Sequence, residues 1–224
     1  MTSTRPHLDW EIIYQQSETV WGEKPDLLLM EYAAQIPMGQ VLDLGMGEGR
    51  NALYFAYRGY PVRGVDLAPT AVEHCRERAQ ALNIPIQTEI NNMLDVTIDP
   101  DSLTLAISTM CLQFVKQSEA HQIIQRIKQG LKVDGMVYLT MFSTDEPRYA
   151  TLKQTDEEVD GEPNTFYLAN RDTYVHFFEQ SEILELFHDF QLLHVAQSIS
   201  LDPGHPGVQE PHYHGILTYL GRKR

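Results

Sequence analysis

Cysteine, positive charge and long apolar runs are all scarce in this chain of 224 residues, and each scarcity removes a class of function. Only two cysteines occur, Cys75 and Cys111, so no disulfide framework is expected and a reducing, cytoplasmic setting fits. Lys and Arg number 17 against 31 Asp and Glu, a formal net charge of −14. Polyanion binding draws on Lys and Arg contacts that release counterions, so nucleic acid is not an expected partner. No apolar run reaches the roughly 18 to 20 residues of a membrane span, and residues 1 to 7 lack the basic-then-apolar pattern of a secretion leader. Repeats and low-complexity tracts are missing as well. What remains, 42% hydrophobic and 21% charged, is the composition of a globular domain whose partner is a small molecule.

Strand-like and helix-like segments alternate along the chain, the signature of helices on both faces of a largely parallel sheet. Strands are expected at 41–45, 62–66, 86–90, 103–108 and 136–141, with helices at 51–58, after Pro69, and through Ile123, Ile124, Ile127 and Leu131. Residues 143–165 are polar, acidic and broken by Pro147, Gly161 and Pro163, which predicts a mobile excursion; a helix carrying Ile183, Leu184, Leu186 and Phe187 follows. Two last strands, 191–200 and 212–220, flank a loop rich in Pro and Gly and predict a closing hairpin. The expected fold is α/β: a Rossmann-like, doubly wound sheet of seven strands, mostly parallel, with an antiparallel strand from the C-terminal hairpin. One domain spans 1–224, divided into a helical cap (1–39), a cofactor-binding core (40–142), a lid-like insertion with a helix (143–190) and the hairpin (191–224).

The densest information lies between Gln40 and Asn51. Asp43-Leu44-Gly45-Met46-Gly47-Glu48-Gly49 ends the first strand with glycines at alternate positions, and Arg50 and Asn51 open the next helix. Glycines permit left-handed backbone and let a ligand lie directly on main-chain N–H groups. A dinucleotide turn runs Gly-x-Gly-x-x-Gly to rest a pyrophosphate on a helix N-terminus. Here the third glycine comes one position early and an acid precedes the turn, which suits a cofactor without phosphates such as S-adenosylmethionine. Asp66, at the tip of the second strand and 17 positions beyond Gly49, is placed to accept from both hydroxyls of a ribose. In open sheets of this kind ligands bind beyond the carboxyl ends of the strands, where the glycine turn, Asp66, the 91–95 segment and the 108–113 segment should converge.

With these residues, Ser108-Thr109-Met110-Cys111-Leu112-Gln113-Phe114 after the fourth strand and Trp21-Gly22 upstream, the chain resembles the class I S-adenosylmethionine-dependent methyltransferases over residues 10 to 142. Within that class it resembles the group of tellurite-resistance and thiopurine methyltransferases. The resemblance implies that Asp43 and the loop through Gly45, Gly47 and Gly49 hold the methionyl part, with Ser108 or Thr109 at its end. It implies Asp66 on the ribose and Asn92 with Met93 on the adenine; Arg50, Asn51 and Leu67 complete the cofactor-binding set. Asn92 stands where the family usually has an acid, and its amide oxygen can accept from the adenine amino group; Asp95 is close by. Tyr14 and Trp21, on an N-terminal helix, are expected to cover the cofactor.

His205, His212 and His214 fall within ten positions, and the last two share one face of a strand. In the tellurite-resistance relatives the terminal hairpin surrounds the methyl acceptor with polar and basic side chains, so these three are the candidate catalytic residues. Metal binding and a plain surface role are the alternatives, and since no acid is read as completing a metal site, none is expected. Tyr149, Phe166 and Tyr167 are candidates to close over the pocket as a lid. The expected activity is methyl transfer from S-adenosylmethionine to a small molecule, such as a thiol, selenium or tellurium species. A nucleotide-dependent oxidoreductase and a non-catalytic S-adenosylmethionine-binding protein are the alternatives.

Overall fold

A computed structural model describes residues 10–17, 19–169, 171–206 and 208–224. The leader reading over residues 1–7 and Gly207 of the last loop lie outside them. Seven strands form one sheet: β1 (Gln40–Leu44), β2 (Val62–Asp66), β3 (Gln87–Ile90), β4 (Leu103–Thr109), β5 (Leu131–Phe142), β8 (Phe190–Asp202) and β9 (His212–Lys223). Their order is β3-β2-β1-β4-β5-β9-β8, parallel from β3 through β5, with β9 antiparallel to both its neighbours. The chain winds outward from β1 through β2 to β3 and then crosses to β4 on the other side of β1. The β1/β4 boundary is therefore the topological switch point, where a crevice opens at the carboxyl ends of the strands.

Period-2 alternation divides the side chains of the central strands between two cores. Val137, Leu139 and Met141 of β5 pack with Ile123, Ile124 and Ile127 of α5 (Gln117–Gly130). Met136 and Tyr138 face the opposite side, with Leu29 of α2 (Leu27–Tyr32) and Phe55 of α3 (Arg50–Tyr57). The remaining helices are α1 (Trp10–Gln15), α4 (Pro69–Leu82), α6 (Pro147–Thr155) and α7 (Gln180–Leu186). Among the described residues no helix is long and apolar enough to cross a membrane.

The segment after β5 differs from its sequence reading. It holds α6 and a two-stranded hairpin, β6 (Thr165–Leu168) with β7 (Thr173–His176), instead of a featureless excursion. Leu152, Phe166, Leu168, Val175 and Phe177 give it a small core of its own, and the Tyr149 hydroxyl donates to Asn164 Oδ1 at 2.6 Å. Phe166 is fully buried there, so it is a core residue and has no face to offer a ligand.

A half-buried carboxylate ties this subdomain to α5. Glu182 Oε1 lies 2.6 Å from His121 Nε2 and 3.1 Å from His176 Nε2, and His176 Nδ1 is 2.9 Å from the Thr165 hydroxyl. Burial pushes the Glu182 carboxyl up, but the hydrogen bonds and charges of His121 and His176 outweigh it and hold the group at about 2. Because the folded value lies below the ordinary 4.5, the ionised carboxylate stabilises the fold above about pH 4.5, and that contribution disappears as pH falls through about 2. At about 1.4 kcal/mol per pKa unit the contribution is on the order of 3 kcal/mol near neutrality. Urea titrations of the wild type and Glu182→Gln should differ by about that amount at pH 6 and by roughly half of it at pH 3. An equal gap at both values would show that the charge on Glu182 is not what matters.

Candidate functional site

The three glycines of the β1–α3 turn all have positive φ, +71° at Gly45, +55° at Gly47 and +83° at Gly49, conformations that L side chains rarely adopt. All three are also hemmed in, Gly45 by the Cys111 side chain. A Cβ on Gly47 would lie 2.7 Å from the Tyr14 hydroxyl, and one on Gly49 would lie 2.4 Å from Cys75 Sγ. The N–H groups of the three glycines, however, are taken up within the protein. Gly45 N–H donates to the Val65 carbonyl at 2.8 Å, Gly49 N–H to the Met46 carbonyl at 3.0 Å, and Gly47 N–H to Asp66 Oδ2 at 2.8 Å. The glycines thus serve close approach and curvature.

The side chains around the turn are acidic and incompletely satisfied. Asp43 is 1% exposed, and its Oδ1, the Ser108 hydroxyl and both amide atoms of Gln113 have no hydrogen-bond partner among the described residues. Buried polar atoms are nearly always paired, and these unpaired ones lie at or beyond the carboxyl ends of β1 and β4, the two strands that flank the switch point. Burial pushes the Asp43 carboxyl up to about 7, against the pull of the Arg50 guanidinium. Asp66 is raised by burial too, opposed by the amides of Ala68, Gly47 and Leu67; its Oδ1 accepts from Ala68 N–H at 2.9 Å. Leu67 and Thr109 stand half-buried beside this group at the ends of β2 and β4. Burial also drives the Cys111 thiol far up, so Cys111 is no thiolate nucleophile.

On the third side, Asn92 Oδ1 accepts from Leu94 N–H at 3.0 Å, closing a turn, and Met93 sulfur lies 3.6 Å from Cys111 Sγ. Arg126 of α5 clamps this loop from below, donating to the carbonyls of Met93, Leu94 and Val96 at 3.2, 2.9 and 2.9 Å.

The N-terminal segment lies across the turn. Tyr14, on α1, is buried, while Trp21 sits in a bend beyond the helix and donates from Nε1 to the Tyr14 hydroxyl at 3.1 Å. Two anchors hold the segment down, neither of them read from the sequence. Glu48, 3% exposed, accepts from Val20 N–H at 2.9 Å and Trp21 N–H at 3.4 Å. Asp26 receives both Arg50, at 2.6 and 3.2 Å, and Asn51 Nδ2, at 3.0 Å, while Asn51 Oδ1 accepts from Asp26 N–H at 2.9 Å. Arg50 and Asn51, at the start of α3, thus hold the cap to the turn through Asp26.

The closing hairpin brings its tip to the same rim, because β8 runs parallel to β5 through the intervening β9. His205, His212 and His214 do come together, ring centroids 5.4 Å and 4.7 Å apart in sequence order. Asp202, which the sequence reading passed over, joins them: one ligand atom from each of the four lies within 4.8 Å of the others. His205 leans on Trp21 at 4.9 Å, and His214 stacks on Phe142 at 5.0 Å. Phe142, Phe114, Trp10 and Trp21 continue the contacts at 6.1, 5.3 and 6.1 Å, so seven rings form a closed collar at the rim.

A family model described as a methyltransferase domain matches residues 41–135, the segment from β1 into β5. A probable S-adenosyl-L-methionine-dependent methyltransferase, TehB of Haemophilus influenzae, is 29% identical over 108 residues, 48% of this chain and 37% of that protein. Its crystal structure matches with a TM-score of 0.65 at 21% identity, covering 88% of this chain and 61% of that one. A solved methyltransferase from Methanosarcina mazei gives a TM-score of 0.71 at 18% identity, covering 89% and 98%. Hemagglutinin 1 of Eikenella corrodens is 22% identical over 186 residues, 82% of this chain and 54% of that protein. The chain thus spans 54% and 37% of the two curated relatives named here. The cofactor that accompanies this domain is S-adenosylmethionine, and with its glycine turn, switch-point acids and sheet order the chain has the architecture of a class I S-adenosylmethionine-dependent methyltransferase, resembling TehB.

Proposed function

We propose that this protein transfers a methyl group from S-adenosylmethionine to a small-molecule acceptor, a soft nucleophile such as a thiol, selenium or tellurium species. The observation that carries the reading is the set of unpaired buried atoms, Asp43 Oδ1, Ser108 Oγ and the Gln113 amide, beside Asp66 at the switch point. The charge there also fits. Asp43 and Asp66 favour a ligand bearing an ammonium and a sulfonium, and would repel the pyrophosphate of a dinucleotide. Arg50, the cation nearest the turn in sequence, is engaged by Asp26.

S-adenosylmethionine supplies a methyl carbon on a sulfonium, open to in-line displacement. The protein's work is positioning. Asp43 and Ser108 hold the amino acid end, Asp66 with Leu67 holds the ribose, and Asn92 with Met93 holds the adenine. Tyr14 and Trp21 exclude water over the turn, and the ring collar forms the acceptor's entrance. A thiolate, selenide or telluride arrives already nucleophilic, so no proton transfer by the chain is required. Fixing donor and acceptor about 3 to 3.5 Å apart in such a site contributes roughly 7 to 11 kcal/mol.

Calorimetry with S-adenosylmethionine and with NAD tests the cofactor, and methyl transfer to a panel of thiols, selenide and telluride tests the acceptor. Saturable binding of S-adenosylmethionine alone, with transfer to a member of the panel, is expected. NAD binding in its place would favour an oxidoreductase. S-adenosylmethionine binding without transfer to any acceptor would favour a non-catalytic role.

A further inference from the structure

We infer that Asp202, His205, His212 and His214 form a binding site for one divalent cation of the zinc type at the tip of the closing hairpin. The inference rests on these four side chains and their supports, and stands whether or not the methyl-transfer reading does.

The register of the hairpin assembles the site. Asp202, last residue of β8, pairs directly with His212, first residue of β9, and His214 lies two positions on along the same face. His205 is returned to them by the short bridge between His205 and Val208. The ligand atoms of the four lie within 4.8 Å of one another. A tetrahedral ion with bonds of about 2.1 Å spaces its ligand atoms about 3.4 Å apart, so a closing movement of little more than an ångström completes the site.

The outer contacts of the imidazoles are the stronger argument. His205 Nδ1 is 2.9 Å from the Pro206 carbonyl, His212 Nδ1 is 2.9 Å from the Glu210 carbonyl, and His214 Nδ1 is 3.2 Å from Glu146 Oε2. Carbonyl and carboxylate oxygens only accept, so each Nδ1 is a donor, which leaves Nε2 as the nitrogen each ring can offer a metal. Among the described residues none of the three Nε2 atoms receives a hydrogen bond. This carbonyl- or carboxylate-backed tautomer is how proteins orient histidines on metals. Glu146 is itself fixed, 6% exposed and accepting from Gly215 N–H at 2.8 Å. Asp202 Oδ1 is held by Gly204 N–H at 2.7 Å, while Oδ2 faces His214 Nε2 at 3.9 Å.

Donor chemistry selects the ion. Three imidazole nitrogens and one carboxylate, without thiolate, suit zinc and its first-row neighbours; magnesium and calcium take all-oxygen shells. A bound ion would fasten the hairpin tip, and with it the His205 ring against Trp21, to the rim of the cleft.

The test uses untagged full-length protein stripped by chelator, dialysed against Zn²⁺ and analysed for metal, with Co²⁺ as spectroscopic substitute. One Zn²⁺ per chain, the intense visible bands of four-coordinate Co²⁺, and a Zn²⁺-dependent rise in Tm are expected. His212→Gln and Asp202→Asn should each weaken Zn²⁺ binding at least tenfold, and together remove saturable uptake, while their metal-free Tm stays that of metal-free wild type. No saturable uptake by the wild type, or uptake unchanged in the double variant, would overturn the site. S-adenosylmethionine calorimetry on the same metal-free samples reports separately on the cofactor, so the two readings fail independently.

Discussion

Asp66→Ala is expected to weaken S-adenosylmethionine binding by about 100- to 1000-fold. A carboxylate accepting from two ribose hydroxyls makes two charge-assisted hydrogen bonds at roughly 1.5 to 3 kcal/mol each, and about 3 to 4 kcal/mol in total corresponds to that loss. The same side chain bridges Gly47 N–H and Ala68 N–H, so the substitution also loosens the turn. Asp66→Asn keeps the shape but sets an amide N–H₂ against one of those two donors, and should bind nearly as poorly. Calorimetry gives the affinity, and thermal unfolding shows whether the fold survives. An affinity within threefold of wild type in folded Asp66→Ala would remove Asp66 from the cofactor site and take the main support from the proposed function.

Gly49→Ala is expected to cost about 2 to 5 kcal/mol of stability. Left-handed backbone penalises an L residue by about 1 to 2 kcal/mol, and forcing a methyl into filled space costs about 1 to 3 more. The filled space is a single sulfur: the new Cβ would meet Cys75 Sγ at 2.4 Å, with Cys75 Cβ and Leu53 Cγ next at 3.3 Å. Adding Cys75→Ala should therefore recover the steric part and leave the backbone part, giving a coupling energy of about 1 to 3 kcal/mol in a double-mutant cycle by urea denaturation. Additive single effects would mean that the sulfur is not the obstacle.

The sheet was legible because its signals are local. Alternating apolar residues, Pro69 at the start of α4 and the Gly-x-Gly-x-Gly turn each encode their geometry within a few positions, and the β-strands fall close to where the pattern puts them. The subdomain after β5 was not legible, since its hairpin core, Phe166 with Val175 and Phe177, is assembled from short runs among acidic and turn-forming residues. The anchors of the cap were hidden for a different reason. Glu48 bonds to Val20, 28 positions away, and Asn51 bonds to Asp26, 25 positions away. Contacts between residues that far apart leave no local pattern to read. Asp202 was missed likewise: only the pairing of β8 with β9 sets it opposite His212.

The collar has one more consequence. The chain contains two tryptophans, Trp10 and Trp21, and both belong to the collar of rings at the rim, 6.1 Å apart. Trp21 is 36% exposed and in contact with an imidazole. All of the molecule's indole emission therefore originates at this one place, and the untouched polypeptide carries its own optical gauge of what enters the cleft or settles on the hairpin.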